Sequence, residues 1–298
     1  MMYSIQKEKV TDAINSVIAM AKRHITRNGV IYRFVELHLN KRIYGFGEKS
    51  VYAYADAINL QYMFPFANIL PDINASLDYL AHLQDTNSQL YYEGSHHILH
   101  TTASAVACLA RWHQRPTYDC SYIIREFDIT KSLNSIRWDI EPWRDSNIPS
   151  ALRLLVNVYF EQHEKEFFAN KFYNWLYENA CPKTGLWRKG HISDSPNRGI
   201  FPSIASGFHF LIHYQFDKVK FPHNRQLRQT CFNYYNNQYI KLFESLGYID
   251  IDFLYCLLRS WSQSHQELED NEISVLHDMF RFFCEMILKQ RYFQHSTD

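Results

Sequence analysis

"LDYLAHLQDTNSQLYYEG", residues 77–94, reads as a helix running into a tight loop closed by aromatics and a glycine. The same skeleton returns in "FYNWLYENACPKTGLWRKG", residues 172–190. With Leu80 set against Leu176, an aromatic precedes each leucine (Tyr79, Trp175). A Leu-aromatic pair follows ten and eleven places on, Leu90-Tyr91 in one copy and Leu186-Trp187 in the other. A glycine stands fourteen places on in both, Gly94 and Gly190. Matched offsets of this kind mark a repeated structural unit, so the fold becomes a matter of stacked helix–loop–helix pairs.

The rest of the chain supports helices almost throughout. One template, apolar at i, i+3, i+4, i+7, i+10 and i+11, fits Leu99–Ala110, Ile148–Tyr159 and Leu276–Ile287. Extending it predicts about eleven helices, near 7–27, 50–63, 72–84, 97–113, 117–133, 147–162, 164–180, 203–216, 224–244, 251–263 and 270–290. Residues 29–39, "GVIYRFVELHL", alternate well enough for one short strand. Prolines fall at the expected helix edges, and Asn147 with Pro149 reads as a cap followed by a first-turn proline. The longest stretch without helical period is 181–202, which makes it a candidate site wall. No composition shift marks a boundary, so residues 1–298 are expected to form a single all-α domain.

Composition narrows the functional classes. Lys+Arg and Asp+Glu balance at 31 each, which gives no overall pull toward nucleic acid or an anionic membrane. No stretch reaches the roughly 18 apolar residues of a membrane span, and the N-terminus lacks a signal-peptide pattern. The six cysteines are scattered singly without a C-x-x-C. Most sit in apolar helical patterns, where a free thiol acts as a small hydrophobe, and a reducing cytoplasmic location is the expectation. P-loop, Rossmann and G-x-S-x-G signatures are missing, so no nucleotide cofactor is expected.

The Leu-aromatic and glycine loop after a helix, with Gln84 in the first copy, resembles the hairpin repeat of the α/α-toroid superfold. That group includes terpenoid cyclases, prenyltransferase β-subunits, six-hairpin glycosidases and polysaccharide lyases. The resemblance covers about residues 70–265. It implies a single toroid of about 11–12 helices, with the small and apolar helices "TTASAVACLA" (101–110) and "SIASGFHFLIHY" (203–214) on the inside. It implies a fold and leaves the reaction to be argued from the site.

In such a ring the polar residues at helix ends are the natural suspects. "WDIEPWRDSN" (138–147) interleaves Asp139, Glu141, Asp145 and Asn147 with Trp138 and Trp143. Paired carboxylates beside indoles suit sugar chemistry, with acid and base roles for Asp145 and Glu141 and contact roles for Trp143 and Asn147. The plainer reading is that Asp145 or Asn147 caps the next helix. "GYIDIDFLYCLL" (247–258) places Asp250 and Asp252 before an apolar run, with Tyr248 beside them. They serve either as caps or, by resemblance to the Asp-x-Asp-Asp acid of class II terpene cyclases, as a proton donor in which Asp252 takes the middle place. Phe253 stands where that motif has its last Asp.

His209 and His213 share a helical face, at metal-ligand spacing, but Phe210 stands where a zincin has its base and no third ligand follows. No metal is therefore expected, and His209 is instead a candidate proton carrier. In "EGSHHILHTTA" (93–103), His96 and His100 are also four apart. His97, together with His191 and Trp187 from the second copy of the loop, completes the candidate substrate-binding set. The leading expectation is an acid/base enzyme acting on a carbohydrate: a glycoside hydrolase, lyase or epimerase. A terpenoid cyclase or prenyltransferase-like enzyme and a non-catalytic scaffold are the alternatives. The expected partner is a small molecule or oligosaccharide rather than nucleic acid, and association as a homodimer stays open.

Overall fold

A computed structural model describes residues 2–32, 35–38, 41–44, 50–94, 96–187, 200–238, 248–264 and 267–288. Twelve α-helices run through them: α1 (Met2–Arg23), α2 (Val51–Met63), α3 (Ile73–His82), α4 (Ile98–Arg111), α5 (Tyr122–Glu126), α6 (Ile129–Asn134), α7 (Pro142–Tyr159), α8 (Gln162–Asn179), α9 (Ile200–Phe216), α10 (Asn224–Gln238), α11 (Tyr248–Ser264) and α12 (Asp270–Leu288). One antiparallel hairpin, β1 (Val35–His38) and β2 (Lys41–Tyr44), interrupts them. The chain is helical as expected; β1 lies inside the alternating segment 29–39, whereas β2 falls beyond it and was not expected. No helix among the described residues is long and apolar enough to cross a membrane.

The chain divides into two compact units. One comprises Met1–Ala13, Ile129–Ser150 and Phe167–Asp298; the other comprises Ile14–Asp128 and Ala151–Glu166. In the second unit α2, α3 and α4 pack on one another, burying Val51, Ala55, Ile58, Leu80, Leu99 and Val106. In the first, α9, α10 and α11 do the same around Ile204, Phe210, Leu227, Phe253 and Leu257. Gly207 lets α11 and Trp187 close on α9, since a Cβ there would lie 3.4 Å from both Cys256 Sγ and the indole.

Each unit holds one copy of the repeated loop, and the copies share their hydrogen bonds. In one, Asp85 N donates to Leu90 O (2.9 Å) and Gln89 N to Asp85 O (2.8 Å). In the other, Cys181 N donates to Leu186 O (2.7 Å) and Gly185 N to Cys181 O (2.8 Å). The fifth residue of each turn is left-handed, Gln89 at φ 59° and Gly185 at φ 71°. Both Leu-aromatic pairs are buried beneath the turn, as are Leu80 and Leu176. The side chain that opens the turn is matched as well. Asp85 Oδ1 accepts from Asn87 N, Ser88 N and Ser88 Oγ. Cys181 takes the same place against Lys183 and Thr184. Burial opposes ionisation of this thiol, but the bonds from Thr184 and the backbone outweigh it and hold Cys181 below the usual thiol range.

The second helix of each pair is the more buried. α4 buries eight of its side chains, from Leu99 to Leu109, and α9 is buried from Ser203 through Gly207. α8 covers only one stripe, Phe168, Phe172, Trp175 and Leu176, and leaves Phe167 and Tyr177 in solvent.

Three expectations are corrected. The helix expected over 117–133 is two short ones, α5 and α6, separated by an extended Phe127. α7 starts at Pro142 rather than 147, because a proline at the first helical position loses no bond there. Asn147 and Pro149 are thus interior, not a cap and first-turn proline. On α12 the template's Met279, Phe283 and Met286 are buried as expected, but Phe280 is exposed and Leu276 and Ile287 are half-buried, while Glu272, Val275 and Cys284 complete the buried face.

Candidate functional site

Three of the suspected segments converge in the first unit. Trp143, one residue into α7, donates its indole N–H to Asp252 Oδ2 on α11 at 2.7 Å. Its ring lies 5.9 Å from that of His209 on α9. Asp252 is only 7% exposed, while Trp143 is half-buried and reaches solvent. The buried carboxylate is thus held by an indole that is itself only half-buried.

His209 is oriented from behind. Ser146 Oγ donates to Trp143 O (3.0 Å), which uses the hydroxyl's one proton. The 2.7 Å contact between Ser146 Oγ and His209 Nδ1 then has the ring nitrogen as donor. This assigns the neutral ring its Nδ1–H tautomer and puts the lone pair on Nε2. One turn on, Ser150 Oγ meets His213 Nε2 at 3.0 Å, with the edge of Phe172 against the imidazole. The i, i+4 histidine pair is thus matched by an i, i+4 serine pair on α7, a hydrogen-bonded ladder. Among the described residues no group of three or more His, Cys, Asp or Glu side chains could hold a metal ion.

Asn147 lies beside this ladder, buried, with Nδ2 3.5 Å from Trp143 O. Its Oδ1 is buried with no hydrogen-bond partner. Such an orphaned acceptor asks for a donor that a ligand or water would bring.

The other acids of the tryptophan-rich segment are engaged elsewhere. Arg137 grips Asp145 in a fork, Nε to Oδ2 at 2.8 Å and Nη2 to Oδ1 at 2.8 Å, and adds its backbone N–H at 3.0 Å. Its Nη2 also reaches Glu141 Oε2 at 3.0 Å. Burial alone would raise the Asp145 pKa, but the Arg137 hydrogen bonds and charge outweigh it and hold the carboxyl below the usual range. Asp145 is an anion fixed in a surface ion network, and Asp139 is exposed.

The remaining candidates are scattered. Trp187 is 1% exposed, packed against Phe210, Tyr214 and Phe221, so protein occupies the surroundings of its ring. His97 caps α4, its Nδ1 accepting from Leu99 N at 3.3 Å. Asp250 and Tyr248 fall within α11, but their side chains lie outside the described residues, as does His191 altogether. Sequence reasoning missed Ser146 and Ser150, whose only signal was serine spaced four apart opposite the two histidines.

In the second unit, Tyr52 Oη and His100 Nδ1 form a hydrogen bond, and the rings of Tyr52 and His96 lie 4.4 Å apart. Burial, and then the charges of His96 and His97, push the His100 pKa down to about 4 from an ordinary 6.5. The unfolded chain binds this proton more readily, so His100 contributes fully above about pH 6.5 and its contribution is lost as pH falls toward 4. Urea midpoints should fall between pH 7 and 5, and fall less steeply in His100→Asn. Equal slopes would show that other groups govern acid sensitivity.

Compared with protein families, curated proteins and solved structures, the chain has no match.

Proposed function

We propose that the chain is an enzyme that moves protons on a carbohydrate, a lyase or epimerase, on an α/α-toroid scaffold. The observation that carries this is the Trp143 Nε1–Asp252 bond beside His209, which joins residues that lie far apart in sequence. In this reading the half-buried Trp143 stacks on a sugar ring and Asp252 gives or takes the proton. His209, kept as the Nδ1–H tautomer, presents Nε2 as the second acid/base group. Asn147 Oδ1 accepts from a sugar hydroxyl.

Proton transfer is favoured over hydrolysis because hydrolysis needs a second carboxylate. Asp145 and Glu141, the acids on the same segment as Trp143, are engaged by Arg137. A terpenoid reading is less favoured. Its carbocation would need aromatic faces around a void, and Trp187, Phe210, Phe172 and Tyr214 pack on one another instead. The scaffold itself is supported by the paired loops, one in each unit, with their shared hydrogen bonds.

The test is a thermal-shift screen with oligosaccharides, uronates and prenyl diphosphates, because a ligand at 100 times its Kd stabilises by about 2.7 kcal/mol. A carbohydrate hit should be followed by Asp252→Asn, which is expected to keep the fold and lower turnover by about 10²-fold or more. Stabilisation by prenyl diphosphate with Mg²⁺ alone would reverse the substrate class. Full turnover in Asp252→Asn would remove the carboxylate from the chemistry.

A further inference from the structure

A notch of about 260 Å³ lies where α9 and α11 end, lined by Val219 and by the polar residues Gln215, Lys218, Lys220, Arg259, Ser262 and Gln263. Its hydrogen-bonding capacity is one-sided. Gln215 Oε1 accepts the Tyr255 hydroxyl, and Gln263 Oε1 accepts Phe221 N at 3.1 Å. Ser262 gives its proton to Arg259 O at 3.0 Å. What these groups have left is almost entirely donors: two amide NH₂ groups, two ammonium groups and a guanidinium. Arg259 Nε is buried with no partner, and Nη1 reaches only Ser262 Oγ at 3.5 Å. Among the described residues none of the three cations is paired with a carboxylate. Asp217, next in sequence to Lys218, accepts the Tyr173 hydroxyl at 2.5 Å.

The backbone supplies a second, independent observation. α9 closes with Val219 N donating to Tyr214 O (3.0 Å) and Lys218 N to Gln215 O (3.3 Å). That is a Schellman motif, and Lys218 takes its left-handed position at φ 56°, where glycine or asparagine is the usual residue. Lys218 is thereby fixed at the rim of the notch that also holds Arg259, a half-buried guanidinium whose Nε has no hydrogen-bond partner. Cations at helix C-termini also complement the dipole. That role explains Lys218 but not the Arg259 Nε, buried without a hydrogen-bond partner in the same notch.

We propose that this notch binds a compact tetrahedral dianion, the phosphate group of a phosphate monoester. Guanidinium and ammonium donors converging from two elements are the groups that recognise it. The assignment stands apart from the carbohydrate reading.

The test titrates the full chain with inorganic phosphate at constant ionic strength, with chloride as control, following the melting temperature. The expected result is a saturable rise with phosphate and none with chloride. Arg259→Gln and Lys218→Gly should each reduce the apparent affinity at least tenfold. Lys218→Gly should also melt higher than wild type without phosphate, because the left-handed strain is gone, so its loss of binding is not a loss of fold. Methyl phosphate should match inorganic phosphate. No response in wild type, a response unchanged in both variants, or binding of phosphate but not methyl phosphate would overturn the proposal.

Discussion

Gly185→Ala should destabilise the first unit by about 2–5 kcal/mol, read as a lower urea midpoint at unchanged slope. Two costs add. An alanine at φ 71° pays about 1–2 kcal/mol for the left-handed conformation. Its Cβ would also stand 2.4 Å from Leu227 N and 2.7 Å from His223 O, backbone atoms that cannot rotate away. Forcing such a contact into a packed site typically costs about 1–3 kcal/mol more. The matching position in the other copy gives the control. Gln89 holds the same turn at φ 59°, and Gln89→Gly should be neutral or stabilising by up to about 1 kcal/mol. A Gly185→Ala variant within about 0.5 kcal/mol of wild type would show that the loop yields, and that its recurrence is not a structural requirement.

This pair of turns explains why the repeated loop was legible. The offsets from Leu80 and Leu176 fall on residues that do the same work, a leucine under the helix and a Leu-aromatic pair under the turn. The identity of the turn's fifth residue was not conspicuous, because one copy uses glycine and the other tolerates glutamine. Cys181 in the place of Asp85 was likewise hidden, since no alphabet of residue types pairs a thiol with a carboxylate. Only their shared acceptor role does so. Helix starts were read less well: Pro142 and Pro149 are both plausible first-turn prolines, and local pattern does not say which one the chain uses.

The candidate site was legible as residue types but not as contacts. Trp143, Asp252 and His209 each stood out, and nothing in the sequence says that they meet. The carboxylate that looked strongest, Asp145 between a tryptophan and an asparagine, is the one Arg137 takes. An arginine eight residues upstream falls outside any capping pattern, and the turn before α7 brings it round. The reverse holds for Asp252, which has the look of a cap but reaches across to an indole.

The same limit hid the ion pair whose loss should cost most. Arg228 on α10 and Glu272 on α12 are both buried and joined twice, Nε to Oε1 at 3.0 Å and Nη2 to Oε2. Arg228 also donates to Glu267 O at 3.2 Å, and Glu272 accepts Glu269 N at 2.9 Å as the returning half of a capping box. Glu272→Gln keeps an acceptor for Glu269 N but strands the guanidinium, and should cost about 3–5 kcal/mol. Arg228→Met strands the carboxylate instead and should cost about as much. The double variant removes both charges together and keeps the cap, so it should be far more stable than the sum of the singles implies. Additive losses in chemical denaturation would mean that the two side chains contribute through separate contacts. Near-complete recovery would mean that the pair offsets its own desolvation and little else.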